Sequence, residues 1–119
     1  MKYVDGYVIP VPKKNIPAYK KMAQIAAKVW RDHGALEYRE CVGEDLKSKF
    51  GVPFLKTIKA KPNETVVFAW IVFKSRAHRD KVNAKVMQDK RLADSMDMDA
   101  MPFDHKRMVY GGFTMLVEA

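Results

Sequence analysis

Cysteine is almost absent from this 119-residue chain: with Cys41 alone, neither an internal disulfide nor a cysteine-based zinc centre is possible. Long hydrophobic runs are missing too. The longest apolar stretch, Val66 to Phe73, falls far short of the ~20 residues that a membrane helix needs. The opening residues, Met1-Lys2-Tyr3-Val4-Asp5-Gly6, carry charge and no apolar core, so no signal peptide is expected. A soluble, cytoplasmic protein with no membrane partner is the expectation. The chain also lacks a phosphate-cradling glycine loop, a Gly-x-Ser-x-Gly elbow, a His-Glu-x-x-His helix and a Cys-x-x-Cys pair. Its three histidines, His33, His78 and His105, share no metal-ligand spacing, so neither a metal nor another cofactor is expected.

Arginine is scarce among the cations, and this bears on the net charge of +8. Residues 1–61 hold 13 Lys/Arg against 6 Asp/Glu (net +7), and residues 62–119 hold 9 against 8 (net +1). Lysines dominate the excess, through Lys13, Lys14, Lys20, Lys21 and Lys28 and then Lys47, Lys49, Lys56, Lys59 and Lys61. Lysine is a solvated point charge, whereas bidentate recognition of phosphate or guanine favours arginine. No helix-turn-helix, zinc-finger or glycine-aromatic RNA-binding pattern accompanies the lysines. The expectation is a solvated basic surface and no specific nucleic-acid partner.

What the chain does have is a globular composition, 48% hydrophobic and 30% charged. That excludes a disordered or collagen-like chain, and a mass of 13.7 kDa fits one domain over residues 1–119. Tyr3 to Val11 reads as a strand ending at Pro10-Val11-Pro12. Asn15 offers a helix cap and Pro17 sits in the first turn. Tyr19, Met22, Ala23, Ala26, Val29, Trp30 and His33 then recur at spacings of three and four, an amphipathic helix closed by Gly34. Leu36 to Glu44 reads as a second strand of mixed alternation. Residues 46–63 form a long basic connection, either functional or extended around Leu55 to Lys59. Thr65 to Phe73 is a strand with apolar residues on both faces. Ser75 caps a second helix to about Asp89, and a short helical turn over Arg91 to Met96 follows. A strand from Lys106 to Val117 ends the chain, with Gly111-Gly112 marking a bulge or a close backbone approach.

An offset of 60 residues superposes Val8, Ile9, Val11, Asn15, Met22 and Ala26 on Phe68, Ala69, Ile71, Ser75, Val82 and Val86. Two strand–helix–strand units give βαββαβ, a ferredoxin-like α+β fold with two helices on one face of a four-stranded antiparallel sheet. A mixed α+β sheet uses the same elements in another topology. Helices cover one face only, yet Thr65 to Phe73 is apolar on both. The bare face would exceed the apolar patch a monomer tolerates, which predicts a two-fold homodimer joined through its sheet faces.

Several residues are candidates for chemistry. His33 continues the apolar stripe beside Trp30 at the helix end: it is either a core-edge imidazole or an acid–base group between helix and sheet. Asp5, inside a strand, is either paired with a cation such as Arg107 or held in a pocket with a raised pKa. Trp30, Trp70 and Tyr110 offer aromatic walls or ordinary core. Met96, Met98, Met101 and Met108 around Phe103 suit an adaptable lid or plain packing. Cys41 has no basic neighbour at helix spacing, so it is not expected to be reactive.

Certain blocks resemble the YbaA-like family, a bacterial domain of unknown function (domain of unknown function 1428). They are Tyr3-Val4-Asp5-Gly6-Tyr7-Val8-Ile9-Pro10-Val11-Pro12-Lys13, Val29-Trp30-Arg31-Asp32-His33-Gly34-Ala35-Leu36 and Val66-Val67-Phe68-Ala69-Trp70-Ile71-Val72. Arg79-Asp80-Lys81-Val82-Asn83-Ala84-Lys85-Val86-Met87 and the long run from Met101-Pro102-Phe103-Asp104-His105 to Gly111-Gly112-Phe113 complete the likeness, which covers nearly the whole chain. The resemblance implies a ferredoxin-like protomer of the dimeric α+β barrel superfamily and no defined activity. More distant members of that superfamily include cofactor-independent monooxygenases, haem-degrading enzymes, lactone isomerases and stress-response proteins. Trp70 and His78 invite comparison with the haem-degrading group, but that group also uses an asparagine on the first strand, and residues 2–11 contain none. Two function classes therefore stand. One is a small-molecule pocket between helices and sheet, monooxygenase-like or isomerase-like, walled by Trp30, Trp70 and Tyr110 with His33, Asp5 and Arg107 as its polar groups. The other is a non-catalytic dimeric binding or stress-response protein in which the same residues only pack and pair.

Overall fold

A computed structural model describes residues 1–97 and 99–119, so Met98 lies outside the described residues. The strand-forming stretches become β1 (Tyr3–Pro12), β2 (Glu37–Val42), β3 (Glu64–Phe73) and β4 (Val109–Thr114). The helices are α1 (Ile16–Asp32), the single-turn α2 (Phe54–Thr57), α3 (Arg76–Met87) and α4 (Lys90–Ser95). All sheet pairings are antiparallel, in the order β2-β3-β1-β4. This is the α+β, ferredoxin-like arrangement.

The two ten-residue strands β1 and β3 pair along their full length, from Tyr3 opposite Phe73 to Pro12 opposite Glu64. β1 ends at Pro12, within the proline segment expected to stop it, with Pro10 still paired opposite Val66. The β4 ladder covers only Tyr3 to Val8, so beyond Val8 β1 has a neighbour on one side and tolerates residues that cannot donate to a second ladder. The last strand is shorter than Lys106 to Val117. His105–Arg107 form a 3-10 turn started by the Asp104 side chain, which accepts from the Lys106 amide. Gly111 and Gly112 mark a close approach and not a bulge, because the register runs unbroken past them. A Cβ at Gly112 would overlap the Tyr3 ring. The basic connection folds into the single turn α2, without a strand extension.

Helix α1 buries Tyr19, Ala26, Val29 and Trp30, the stripe its spacing demands, and Gly34 leaves it at φ +114°. Each fully buried aliphatic side chain on that stripe contributes roughly 1.5–3 kcal/mol. Ser75 caps α3 by accepting from the His78 amide at 3.1 Å. Asn15 occupies the cap position of α1, but its side chain donates to the Pro102 carbonyl at 3.0 Å, tying that helix to the segment before β4.

Alternation along the strands divides the sheet. Odd-numbered residues of β1 and β3, including Asp5, Tyr7, Ile9, Ala69 and Ile71, face the helices, joined by Tyr38, Glu40 and Tyr110 from the outer strands. The opposite face presents Val4, Val8, Phe68, Trp70, Val109 and Phe113. Of these Phe68 is 45% exposed and Phe113 59%. Under the helices the core falls into two clusters, one around Val29, Phe73, Val82 and Val86 and one around Ile9, Val11, Tyr19 and Val67.

Candidate functional site

Between those clusters lies a cavity of about 420 Å³, within the size range of small-molecule sites. Ala69 and Ile71 form its floor, α1 roofs it through Met22, Ala26 and Trp30, and the segment before β4 closes it with Met96, Met101, Phe103 and Met108. The Phe103 ring meets Tyr19 edge-on at 5.5 Å. A groove of about 450 Å³ between α1 and β2 shares Tyr19, Ala23, Tyr38 and Glu40 with the cavity. Glu40 therefore stands in the wall between an apolar chamber and a groove edged by Lys20, Gln24 and Arg39.

Register and strand alternation set Glu40 there. It lies opposite Ala69, which lies opposite Tyr7, which lies opposite Tyr110, one row across all four strands. Tyr38, two residues earlier on the same face, donates its hydroxyl to Glu40 Oε2 at 2.5 Å, and Tyr19 on α1 donates to Oε1. Among the described residues no cation pairs with Glu40. Burial first, and then the Glu40 carboxylate, push the Tyr19 and Tyr38 phenols far up, so both remain proton donors. Tyr7 is pushed up as well, by burial and then by Asp5. Its ring stacks against Tyr110 at 5.0 Å. Its hydroxyl has no hydrogen-bond partner among the described residues.

The second carboxylate on this face, Asp5, is fully buried and bound otherwise. Arg79 Nη1 donates to Asp5 Oδ1 at 2.8 Å and to the Tyr110 hydroxyl at 2.9 Å, while its guanidinium lies 4.9 Å from the Tyr3 ring centroid. Asn83 Nδ2 approaches Asp5 Oδ2 at 3.4 Å, and Asn83 Oδ1 accepts the Trp30 indole N–H at 3.0 Å. Arg79 and Asn83, four residues apart, share one face of α3. The network pins that helix to β1 and fixes the Trp30 wall.

The residues expected from the sequence scatter. Trp30 and Tyr110 line the cavity. Trp70 does not: it sits opposite Gly6 on the other face of the sheet, with its indole N–H on Glu37 at 2.8 Å. Arg107 is not the partner of Asp5. It forms a two-pronged pair with buried Glu64 at 2.7 and 2.9 Å and holds the Glu64 carboxyl below the usual range. His33 lies outside the cavity, where Nε2 meets Asp89 Oδ2 at 2.8 Å and ties the end of α1 to the start of α4. Arg91 and His33 together hold the Asp89 carboxyl far below its ordinary value. Met96, Met101 and Met108 do reach the cavity. His78 is spent locally, its Nδ1 accepting the Lys74 amide at 3.0 Å.

Glu40, Tyr38, Tyr7, Arg79 and Asn83 escaped the sequence reading. The available signal was the Tyr38-x-Glu40 spacing, which puts a carboxylate on the inward face of a strand whose alternation looks mixed. Among the described residues no helix is long and apolar enough to cross a membrane, and no cluster of His, Cys, Asp and Glu is placed to hold a metal.

The pattern of the DUF1428 family, described as proteins of unknown function, matches residues 2–105. The uncharacterized protein YbaA of Escherichia coli K12 is 42% identical over 118 residues, 99% of each chain. Among solved structures, an uncharacterized NIPSNAP domain protein from Burkholderia xenovorans superposes with a TM-score of 0.63 at 12% identity, covering 98% of this chain and 97% of its own. A dimeric ferredoxin-like protein of unknown function from Jannaschia sp. CCS1 gives 0.55 at 12% identity, with 95% and 99% covered. SnoaB, a cofactor-independent oxygenase from Streptomyces nogalater, gives 0.54 at 15% identity, with 98% and 95% covered. At these identities the structures share the fold with this chain.

Proposed function

Because this chain belongs to the DUF1428 family of proteins of unknown function, its activity must be read from its own cavity, and we propose that it is a cofactor-free proton-transfer enzyme acting on a small organic molecule there. The observation that carries this reading is Glu40, a carboxylate with no paired cation among the described residues, oriented by two tyrosine hydroxyls at the wall of an apolar chamber. A general base needs reach to its proton, a fixed direction and a route for that proton onward. Tyr19 and Tyr38 fix the direction. Each Glu40 oxygen keeps a lone pair beyond the one facing its tyrosine, and the groove on the far side opens to solvent. Removal of a carbon-bound proton is the opening step of an isomerase-like reaction. A carbanion formed there is also the electron-rich species that a cofactor-free, monooxygenase-like reaction presents to molecular oxygen, and SnoaB, a cofactor-independent oxygenase, supports that variant by its fold.

The working unit in this reading is a homodimer joined through the outer sheet face. Phe68, Val109 and Phe113 stand 45–59% exposed there, although the Phe54 ring of the single turn α2 meets Phe68 edge-on at 6.0 Å. The dimeric ferredoxin-like neighbour supports the same arrangement. An exposed, unpaired Cys41 suits a reducing compartment and supports a cytoplasmic location.

The test is deuterium uptake by 2-tetralone, an apolar ketone with acidic C–H bonds, incubated with the protein in D₂O and followed by NMR. Wild type is expected to accelerate exchange above buffer, and Glu40→Gln to slow it at least ~100-fold, within the range for loss of a general base. Exchange no faster than buffer, or equal in the variant, removes Glu40 as a base and leaves the non-catalytic binding protein as the reading. Native mass spectrometry of the wild type reports the dimer, and Phe113→Lys is expected to yield monomer.

A further inference from the structure

Four groups occupy one row across the sheet: Tyr110, Tyr7, Ala69 and Glu40. Neighbouring strands lie ~4.8 Å apart, so the Cα atoms of Tyr7 and Glu40 are about 10 Å apart with only the methyl of Ala69 between them. Ala69 is buried, and Ala26 and Ala23 on α1 face the same space. The result is a slot with a proton acceptor on one side and a proton donor on the other. Floor and roof are apolar, Ala69 and Ile71 below and Ala23 and Ala26 above. The Tyr7 hydroxyl has no partner among the described residues, whereas Tyr19 and Tyr38 donate theirs to Glu40, and Tyr110 accepts from Arg79 and is hydrogen-bonded to Asp5. Burial and the neighbouring Asp5 keep the Tyr7 phenol protonated far above neutral pH.

Charge narrows the ligand further. The cavity wall carries Glu40 and the imidazole of His105, and among the described residues the guanidinium nearby, Arg79, is held by Asp5 and Asp80. A ligand carboxylate or phosphate entering the slot beside Glu40 would meet a carboxylate and, among the described lining residues, no lysine or arginine, an unfavourable exchange for its hydration. The thioethers of Met22, Met96, Met101 and Met108 form a soft surface suited to a planar hydrocarbon.

We propose that Tyr7 is a catalytic hydrogen-bond donor to the substrate oxygen, and that the substrate class is an uncharged, flat, enolisable ketone. This rests on the reading of Glu40 as the base. In the step, a C–H bond beside the carbonyl breaks and its proton goes to a Glu40 oxygen. The bonding pair becomes the carbon–carbon double bond, and the carbonyl π pair moves onto oxygen. The resulting enolate oxygen accepts from the Tyr7 hydroxyl. Return of the proton from Glu40 to the original carbon restores the ketone, and return to a conjugated carbon isomerises it. No oxidant or reductant enters. A phenolic donor facing a carboxylate base in an apolar chamber is a known chemical solution for enolate formation.

The probe is 2-naphthol, a stable enol of the right shape, with naphthalene as the control lacking the hydroxyl; both are titrated by fluorescence. Wild type is expected to bind 2-naphthol at least tenfold more tightly than naphthalene, and Tyr7→Phe to erase that preference while leaving naphthalene affinity unchanged. Tyr7→Phe is further expected to lower the rate constant for 2-tetralone exchange by tenfold or more while KM changes less than threefold. Ala69→Leu, which fills the slot, is expected to exclude both aromatics; circular dichroism checks that each variant is folded. Equal binding of 2-naphthol and naphthalene by wild type, no binding of either, or an unaltered Tyr7→Phe protein overturns the proposal. If Tyr7→Phe is inert but Glu40→Gln abolishes exchange, the base stands and the donor falls. If Tyr7→Phe loses the 2-naphthol preference while Glu40→Gln exchanges normally, the donor site stands and the base falls.

Discussion

Asp5 and Glu40 are two carboxylates on the same helix-covered face, two strands apart, and their surroundings differ in every respect that matters to chemistry. Asp5 is 0% exposed and is met by a guanidinium and an amide. Glu40 is half-buried and is met by two neutral phenols, with a cavity on one side and a groove on the other. A charge fully matched by a cation and closed off from space has a structural task, holding α3 on β1. A charge oriented by neutral donors and left facing a chamber has the means to exchange a proton. The partners, and not the carboxylate itself, assign the role.

Substitutions at each end of the cavity separate the two roles. The largest effect is expected from Asp5→Ala, which removes the buried partner of the Arg79 guanidinium, only 13% of whose side chain is exposed, and leaves it the exposed Asp80. Breaking such a buried pair costs about 3–5 kcal/mol, measurable by urea denaturation, and a loss below about 1 kcal/mol would erase the contrast. Glu40→Gln is expected to remove a rate factor of ~100 or more, equivalent to about 2.7 kcal/mol of barrier, with stability nearly unchanged. A large stability loss there would make Glu40 a second structural carboxylate.

Alkaline pH reaches tyrosines on both sides, Tyr110 beside Asp5 included, and two of them bond directly to Glu40. The Tyr19 and Tyr38 phenols are raised above their ordinary value of 10.0. Their stabilising contribution is therefore complete below pH 10 and is lost as pH climbs from there toward the higher folded-state values. Absorbance at 295 nm is expected to show these tyrosines ionising only together with unfolding, and Tyr38→Phe is expected to flatten the alkaline fall in stability. Smallest of all is Tyr110→Phe, which deletes one neutral acceptor of Arg79 and is expected to cost ~1 kcal/mol in urea denaturation.

The fold was legible where periodicity was strong. The helical stripe from Tyr19 to Trp30, the Ser75 cap and the doubly apolar β3 left little choice of architecture, and the 60-residue offset pairs the two central strands and the two main helices in the structure. The candidate site was legible only in part. Trp30 and Tyr110 were visible as aromatics, but nothing local tells which face of β3 is the helix-covered one, and Trp70 fell on the other. Asp5 invited a cation, and the choice between Arg79 and Arg107 depends on which of two distant segments the sheet register delivers. The Tyr7–Ala69–Glu40 row spans residues from three strands and exists only once the register is set.

That register governs more than the site. Side chains alternate across a strand with a period of two, so deleting one residue of β1 would exchange the faces of every residue on one side of the deletion. Loss of Gly6 with Tyr3 to Asp5 held in register would move Tyr7 and Ile9 to the outer surface and turn Val8 toward the helices. β1 thus behaves as a ruler with one-residue graduations. Many single substitutions along it are tolerable in principle, but a change of its length by one residue would abolish the chamber and the proposed dimer surface together.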